Sequence, residues 1–312
     1  MKNQLNELLG TENVREHIDL FPYLSLRLHT RAQYFFEAKS AEDIVLAIQT
    51  SHTVGVPVCL IGGGSNIVFK EIEKTGLVIL NTYSEIIKVA ETKNTVDLYI
   101  GSGTPMSVVI LYSVKHGLSG LEQHKGLPGT IGGAIYMNSK WTHPLSYVGD
   151  TLIEARIINK EGKIRKVDKD YFQFAYDYSK LQDTKEVLLS ALFRLQKKTS
   201  EEVAQQADAS FIYRKKTQPI GIATCGCFFR NITDEELKAH KLPTKSAGYL
   251  IDNAGLKGMQ VGSFRISDIH ANFIINRGGD AKPKDLQLLV EEIKSKVKDK
   301  FGVILKEEVE LL

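Results

Sequence analysis

Two glycine-rich, charge-poor stretches, about 55 residues apart, limit most strongly what this chain can fold into. The first, Gly62-Gly63-Gly64-Ser65-Asn66, follows the apolar run Val56–Ile61 and runs straight into Ile67-Val68-Phe69. The second, Gly117 to Ala134, holds six glycines in eighteen residues. Glycine lets a backbone come close to a ligand, and successive N–H groups in such a turn form an anion nest. The first stretch alone reads better as an ordinary tight turn. A long loop inside a compact domain is usually functional, however. Two of them suit a long ligand with a pyrophosphate at its middle.

That ligand is not held in a Rossmann fold. A dinucleotide fingerprint needs G-x-G-x-x-G opening a helix, so that the pyrophosphate meets the helix N-terminus. Here β-branched and aromatic residues follow Gly64, so the loop leads into a strand. There is no GK[ST] of a P-loop either.

Elsewhere Ser40-Ala41-Glu42-Asp43 opens an N-capped amphipathic helix. Gly76–Leu80 and Val96–Ile100 read as strands. Ser107–Lys115 reads as a helix closed by His116-Gly117, and 118–138 as loop. Leu152–Asn159 and Lys163–Val167 flank a Lys160-Glu161-Gly162 turn, a hairpin pattern. Val187–Leu195 reads as a strand, Glu201–Lys215 and Pro283–Lys300 as helices, and Val303–Leu312 as a final strand. Helix and strand alternate too irregularly for a doubly wound sheet, so the class is α+β.

The length of 312 residues suggests two or three domains. A formal net charge of +3 is too small a surplus to argue for nucleic acid or a membrane surface. The run KSKVKDK, from Lys294 to Lys300, reads as a solvated helix face. Cys59, Cys225 and Cys227 are too few for a disulfide framework and fit a reducing compartment. No h-region opens the chain and no apolar run approaches a membrane span, so a cytoplasmic protein is expected. Cys225-x-Cys227 lacks the partner cluster that a zinc site needs, so no metal is expected. On a regular strand the two thiols share a face and read as small buried residues. His270, among apolar residues, reads as a hydrogen-bonded structural histidine.

GGGSN, GLSGLEQHKGLPGTIGGAIYMN, TCGCFFRN, AGYLIDNAGLKGMQVGSFRISDIHANFIIN and FGVILKEEVELL occur in that order. The series, over roughly residues 22–312, resembles the UDP-N-acetylenolpyruvoylglucosamine reductase family in its shorter form. The resemblance implies a two-part FAD-binding region of the vanillyl-alcohol oxidase (PCMH) type and a smaller α/β substrate-binding domain. By position, residues 1–82 and 83–205 are the two FAD-binding subdomains, with strand 303–312 packing back on the first. Residues 206–302 take the substrate. It also implies a cytoplasmic monomer that binds a UDP-sugar, with neither nucleic acid nor membrane as partner.

The implied chemistry passes hydride from NADPH by way of FAD to C3 of an enolpyruvyl group, and a protein acid protonates C2. Carried over by position, Gly62, Gly63, Gly64, Ser65 and Asn66 hold the FAD pyrophosphate. Gly120, Gly126, Pro128, Gly129, Thr130, Gly133, Ala134 and Asn138 line the flavin. Cys227 stands where the family usually has a serine proton donor. A thiol, with an unperturbed pKa of ~8.5, is mostly protonated at neutral pH and is a stronger acid than serine. Glu308 matches the family's glutamate near the C-terminus, and Lys216 and Asn231 match substrate-contact positions.

Two departures stand out. In Ala175-Tyr176-Asp177-Tyr178-Ser179, Asp177 stands where the resemblance implies an arginine that steadies the enolate. An anion there raises the barrier by roughly a few kcal/mol unless a neighbour such as Lys180 or Arg230 compensates. His29-Thr30 replaces an expected glycine pair. Asp177 therefore leaves two alternatives open. One is an FAD-dependent oxidase or dehydrogenase of the same superfamily with another substrate. The other is a catalytically impaired protein that keeps the fold.

Overall fold

The computed structural model describes residues 1–10 and 12–312. The chain forms two compact units, and neither is continuous in sequence. The larger comprises 1–18, 33–63 and 75–214, and the smaller 19–32, 64–74 and 215–312.

Four strands of the larger unit's first sheet lie in the order Arg15–Asp19, Arg31–Ala38, Glu73–Asn81, Val58–Ile61. The last two run parallel, with Val58 opposite Leu77. A parallel pair needs a crossover, and residues 62–72 supply it. Helix Ala41–Val54 starts at a Ser40–Asp43 capping box, as its sequence signal predicts, and stops at left-handed Gly55 (φ 71°).

A second, antiparallel sheet orders Ile164–Asp168, Leu152–Ile158, Val187–Lys197, Thr95–Gly101 and Ile86–Glu91. Its hairpin and its strands match the alternation in the sequence. Ile158 and Leu189 pack into the same buried cluster as Leu5, Phe36, Ile44, Leu77 and Ile79. That cluster draws on both sheets, while a second one gathers Leu98, Ile100, Ile157, Phe193 and Leu195. The larger unit's last segment ends at 214, near the end of the unbroken helix Ser200–Thr217.

The smaller unit carries the sheet Ala223–Cys227, Phe273–Asn276, Phe264–Ile266, Gln260–Val261, with helix Pro283–Phe301 beside its last strands. The tail differs from the single strand expected over 303–312. Only Glu310–Leu311 is a strand, pairing in parallel with Ile67–Val68. Just before it, Arg230 N–H donates to the Lys306 carbonyl and Glu308 N–H to the Phe228 carbonyl. The segment changes partner midway, and that breaks the ladder.

Stretch 118–138 is not all loop. It contains the six-residue helix Ile131–Tyr136, capped by Thr130.

Candidate active site

In the larger unit, Gly62 and Gly63 meet Gly129 and Thr130 almost backbone to backbone. A Cβ on Gly63 would lie 2.6 Å from Gly129 Cα, and one on Gly62 would lie 2.4 Å from Thr130 Oγ1. Glycine is obligatory at such an approach. Ser102 completes the floor, its carbonyl accepting from Gly132 N–H at 2.8 Å and its hydroxyl from the Asn81 amide at 2.8 Å. Gly63, Pro128 and Gly133 are exposed along this seam. A Cβ on Gly133 would touch only Thr130 Oγ1, at 3.9 Å. Its bareness therefore does not answer to the protein's own packing. An uncharged, side-chain-free face bordered by the two glycine loops fits the extended FAD molecule.

At two further glycines of the series the protein's own packing forbids a side chain. A Cβ at Gly120 would strike Thr151 and Leu195, and one at Gly126 would strike Phe211 and Arg214. Both are required by internal packing. Asn138 is buried, donating to the Ala175 carbonyl at 3.0 Å and accepting from Gly149 N–H at 3.3 Å. Its side chain ties the loop that carries Asp177 to the end of the short helix. Ser179 and Gln182 do the same, both donating to the Tyr136 carbonyl.

Asp177 is buried in a left-handed conformation (φ 48°) and pairs with Lys140, whose Nζ lies 3.2 Å from Oδ2. The same ammonium sits 3.2 Å above the centre of the Tyr176 ring. Lys180, one of the two cations expected to compensate, lies over the Tyr171 ring instead. No sequence signal linked Lys140 to Asp177, which lie 37 positions apart.

The smaller unit holds the candidate acid. Strand Ala223–Cys227 is not regular. Thr224 pairs with Ile275 and Cys227 with Phe273, so Cys225 and Gly226 together face one residue. Gly226 takes φ 85° in this bulge. Thr224 Oγ1 donates to the Ile274 carbonyl at 2.7 Å and accepts from Gly226 N–H at 3.3 Å, restoring the interrupted ladder. A bulge re-aims side chains, so the two thiols do not share one fate. Cys225 is fully buried, and burial, aided by the charge of Glu308, pushes its thiol up to about 12. Cys227 stays partly exposed. The expectation that both are simply small buried residues therefore fails.

Glu308 is half-buried. Its backbone N–H donates to the Phe228 carbonyl at 2.8 Å, and its carbonyl accepts from the Asn66 amide at 3.4 Å. One residue thus joins the strand of Cys227 to Asn66 within the smaller unit. Lys216 is exposed at the end of helix Ser200–Thr217. Asn231 is exposed too, and its Oδ1 accepts from Ala247 N–H, capping helix Ala247–Asn253. His270 Nδ1 accepts from Asn272 N–H at 3.2 Å, the structural role expected of it. In place of the expected glycine pair, His29 stacks on Phe21 and pairs with Asp19, and Thr30 is buried. Among the described residues no cluster of His, Cys, Asp and Glu can hold a metal, and no helix is long and apolar enough to cross a membrane.

A glycine cradle without a Rossmann helix in one unit, and a partly exposed thiol and a carboxylate in the other, define an FAD-dependent oxidoreductase of the vanillyl-alcohol oxidase type. Residues 32–168 match the family model described as FAD binding domain. Residues 218–312 match the one described as UDP-N-acetylenolpyruvoylglucosamine reductase, C-terminal domain. The chain belongs to the UDP-N-acetylenolpyruvoylglucosamine reductase family. It is 33% identical over 300 residues to the enzyme of that name from Chlamydia trachomatis serovar A, with 96% of each chain covered. It is also 33% identical to that of Bacillus pumilus, covering 100% of this chain and 99% of the other. The reductase structure from Thermus caldophilus superposes with a TM-score of 0.77 at 26% identity, covering 96% and 99%. A VAO-type flavoprotein of Myceliophthora thermophila (TM-score 0.56, 9% identity) shares the fold.

Proposed function

We propose that Cys227 delivers the proton, and that Glu308 orients the donor, or steadies the enolate when its carboxyl is itself protonated, in the reduction this family performs. That reaction converts UDP-N-acetylglucosamine enolpyruvate to UDP-N-acetylmuramate for peptidoglycan precursors. Bound FAD would supply hydride to C3 of the enolpyruvyl group, having received it from NADPH. Addition at C3 leaves negative charge at C2 and on the adjacent carboxylate, so C2 needs an acid. The observation that carries the reading is the bulge at Gly226. It leaves Cys227 accessible while its neighbour Cys225 is sealed and held protonated.

Gly62, Gly63, Gly64, Ser65 and Asn66 would hold the pyrophosphate, with Pro128, Gly129, Thr130, Gly133 and Ala134 along the flavin. Lys216 and Asn231 would meet the nucleotide sugar, Asn231 through the amide its capping role leaves over. Lys140 neutralises Asp177, so the aspartate does not present a bare anion to the enolate. We further propose a cytoplasmic monomer that binds no nucleic acid, with the substrate held mainly by residues after 206. The test is NADPH oxidation that depends on the enolpyruvyl nucleotide, with a product two mass units heavier than substrate. NADPH oxidation indifferent to that nucleotide would refute the assignment.

A further inference from the structure

The partial exposure of Cys227 depends on how the strand is held beyond the bulge. Three residues after Gly226 lie between two chain segments. On one side Phe228 N–H donates to the backbone carbonyl of Asn272 at 2.8 Å. The Asn272 side chain closes a ring with the next peptide. Its Oδ1 accepts from Phe229 N–H at 2.9 Å, and its Nδ2 donates to the Phe229 carbonyl at 2.7 Å. On the other side Glu308 N–H donates to the Phe228 carbonyl and Arg230 N–H to that of Lys306. Asn272 is buried, and its own N–H is fixed on His270 Nδ1. Every polar atom of Asn272 is thus engaged, most of them on the peptides directly after Cys227.

We infer that Asn272 is a positioning residue for the proton donor. Its amide locks the Phe228–Phe229 backbone, and with it the direction of Cys227 and its register against Glu308. This rests on the reading of Cys227 as acid. Only an amide of this length completes the ring, because Phe229 offers one donor and one acceptor. A carboxylate keeps the bond from Phe229 N–H but sets an oxygen against the Phe229 carbonyl. An alanine leaves a buried peptide unsatisfied on both sides. A strand so released lets the thiol drift, and a displacement near 1 Å costs about a hundred-fold in a positioned reaction.

The test uses the FAD-loaded protein and reads its two half-reactions by flavin absorbance. Asn272→Ala and Asn272→Asp should leave flavin reduction by NADPH within about two-fold. Reoxidation by the enolpyruvyl nucleotide should slow by about a hundred-fold in the alanine variant, and less in the aspartate variant. Half-saturation by the nucleotide should hold. The double variant Cys227→Ala/Asn272→Asp should be no slower than Cys227→Ala alone, because Asn272 acts through the thiol. Alkylation of Cys227 by iodoacetamide should change several-fold in both single variants, with or without flavin. Unchanged reoxidation in both variants overturns the inference. So does a loss shared equally by both half-reactions, or a double variant in which the two losses multiply. If Cys227→Ala itself reoxidises at the normal rate, the acid assignment fails and takes this inference with it. If only the Asn272 variants are normal, the inference alone fails.

Discussion

Lys140 and Asp177 form an ion pair with Nζ 3.2 Å from Oδ2, the carboxylate buried and the ammonium capping the Tyr176 ring. The pair answers the question raised by an aspartate in a place where a cation was expected. The negative charge is met by a lysine on the neighbouring strand Lys140–Thr142.

Removing the lysine should therefore hurt more than removing both members. Lys140→Met strands a buried carboxylate, a change that typically costs about 3 kcal/mol. Lys140→Met/Asp177→Asn should recover much of that loss. Urea unfolding of the three proteins measures it. A single variant as stable as the parent would show that the pair carries no weight.

Gly63→Ala should displace the cofactor. Its Cβ would lie 2.6 Å from Gly129 Cα, and neither backbone can yield cheaply. Overpacking of this kind costs about 1–3 kcal/mol and opens the seam between the two loops. The protein should lose its yellow colour on desalting, where the parent keeps it. Retention of a full complement of flavin would argue that FAD binds elsewhere.

The short helix at the cradle is legible only in part from the sequence. The glycines of PGTIGGA were visible, and so were the capping box at Ser40 and the hairpin around Gly162. Three features were not. Alternation put Cys225 and Cys227 on one face, because the pattern of a strand does not announce a bulge. Only the glycine between them, at φ 85°, hinted at one. The Lys140–Asp177 pair joins residues that no local rule connects. Asn138 lies in a glycine-loop motif yet holds its own fold together, since a motif records a position and not the direction of its side chain.

Acid should weaken the larger unit through His124. Burial chiefly, with help from the positive charge of Arg214, pushes this histidine down to about 4. In the unfolded chain it titrates near 6.5. Between those values the unfolded state binds the extra proton, so stability falls as pH drops from 6.5 towards 4. The loss approaches about 3 kcal/mol at the lower end. His124→Gln should flatten that part of the stability–pH curve. An unchanged slope would contradict the assignment.

Cys227→Ser should retain part of the turnover and Cys227→Ala nearly none. A hydroxyl still carries a proton, although it is the weaker acid. General acids contribute about 10²–10⁴-fold. Steady-state kcat for the three proteins checks the order. An alanine variant faster than the serine variant would reverse the role given to the thiol.

The most direct measurement follows flavin absorbance in one anaerobic experiment. NADPH is added first, then the enolpyruvyl nucleotide. The account predicts that the visible flavin band bleaches with NADPH and returns within turnover time when the nucleotide arrives. With Cys227→Ala it should bleach alike and stay bleached. A band that NADPH does not bleach, or that the nucleotide does not restore in the parent protein, would contradict it.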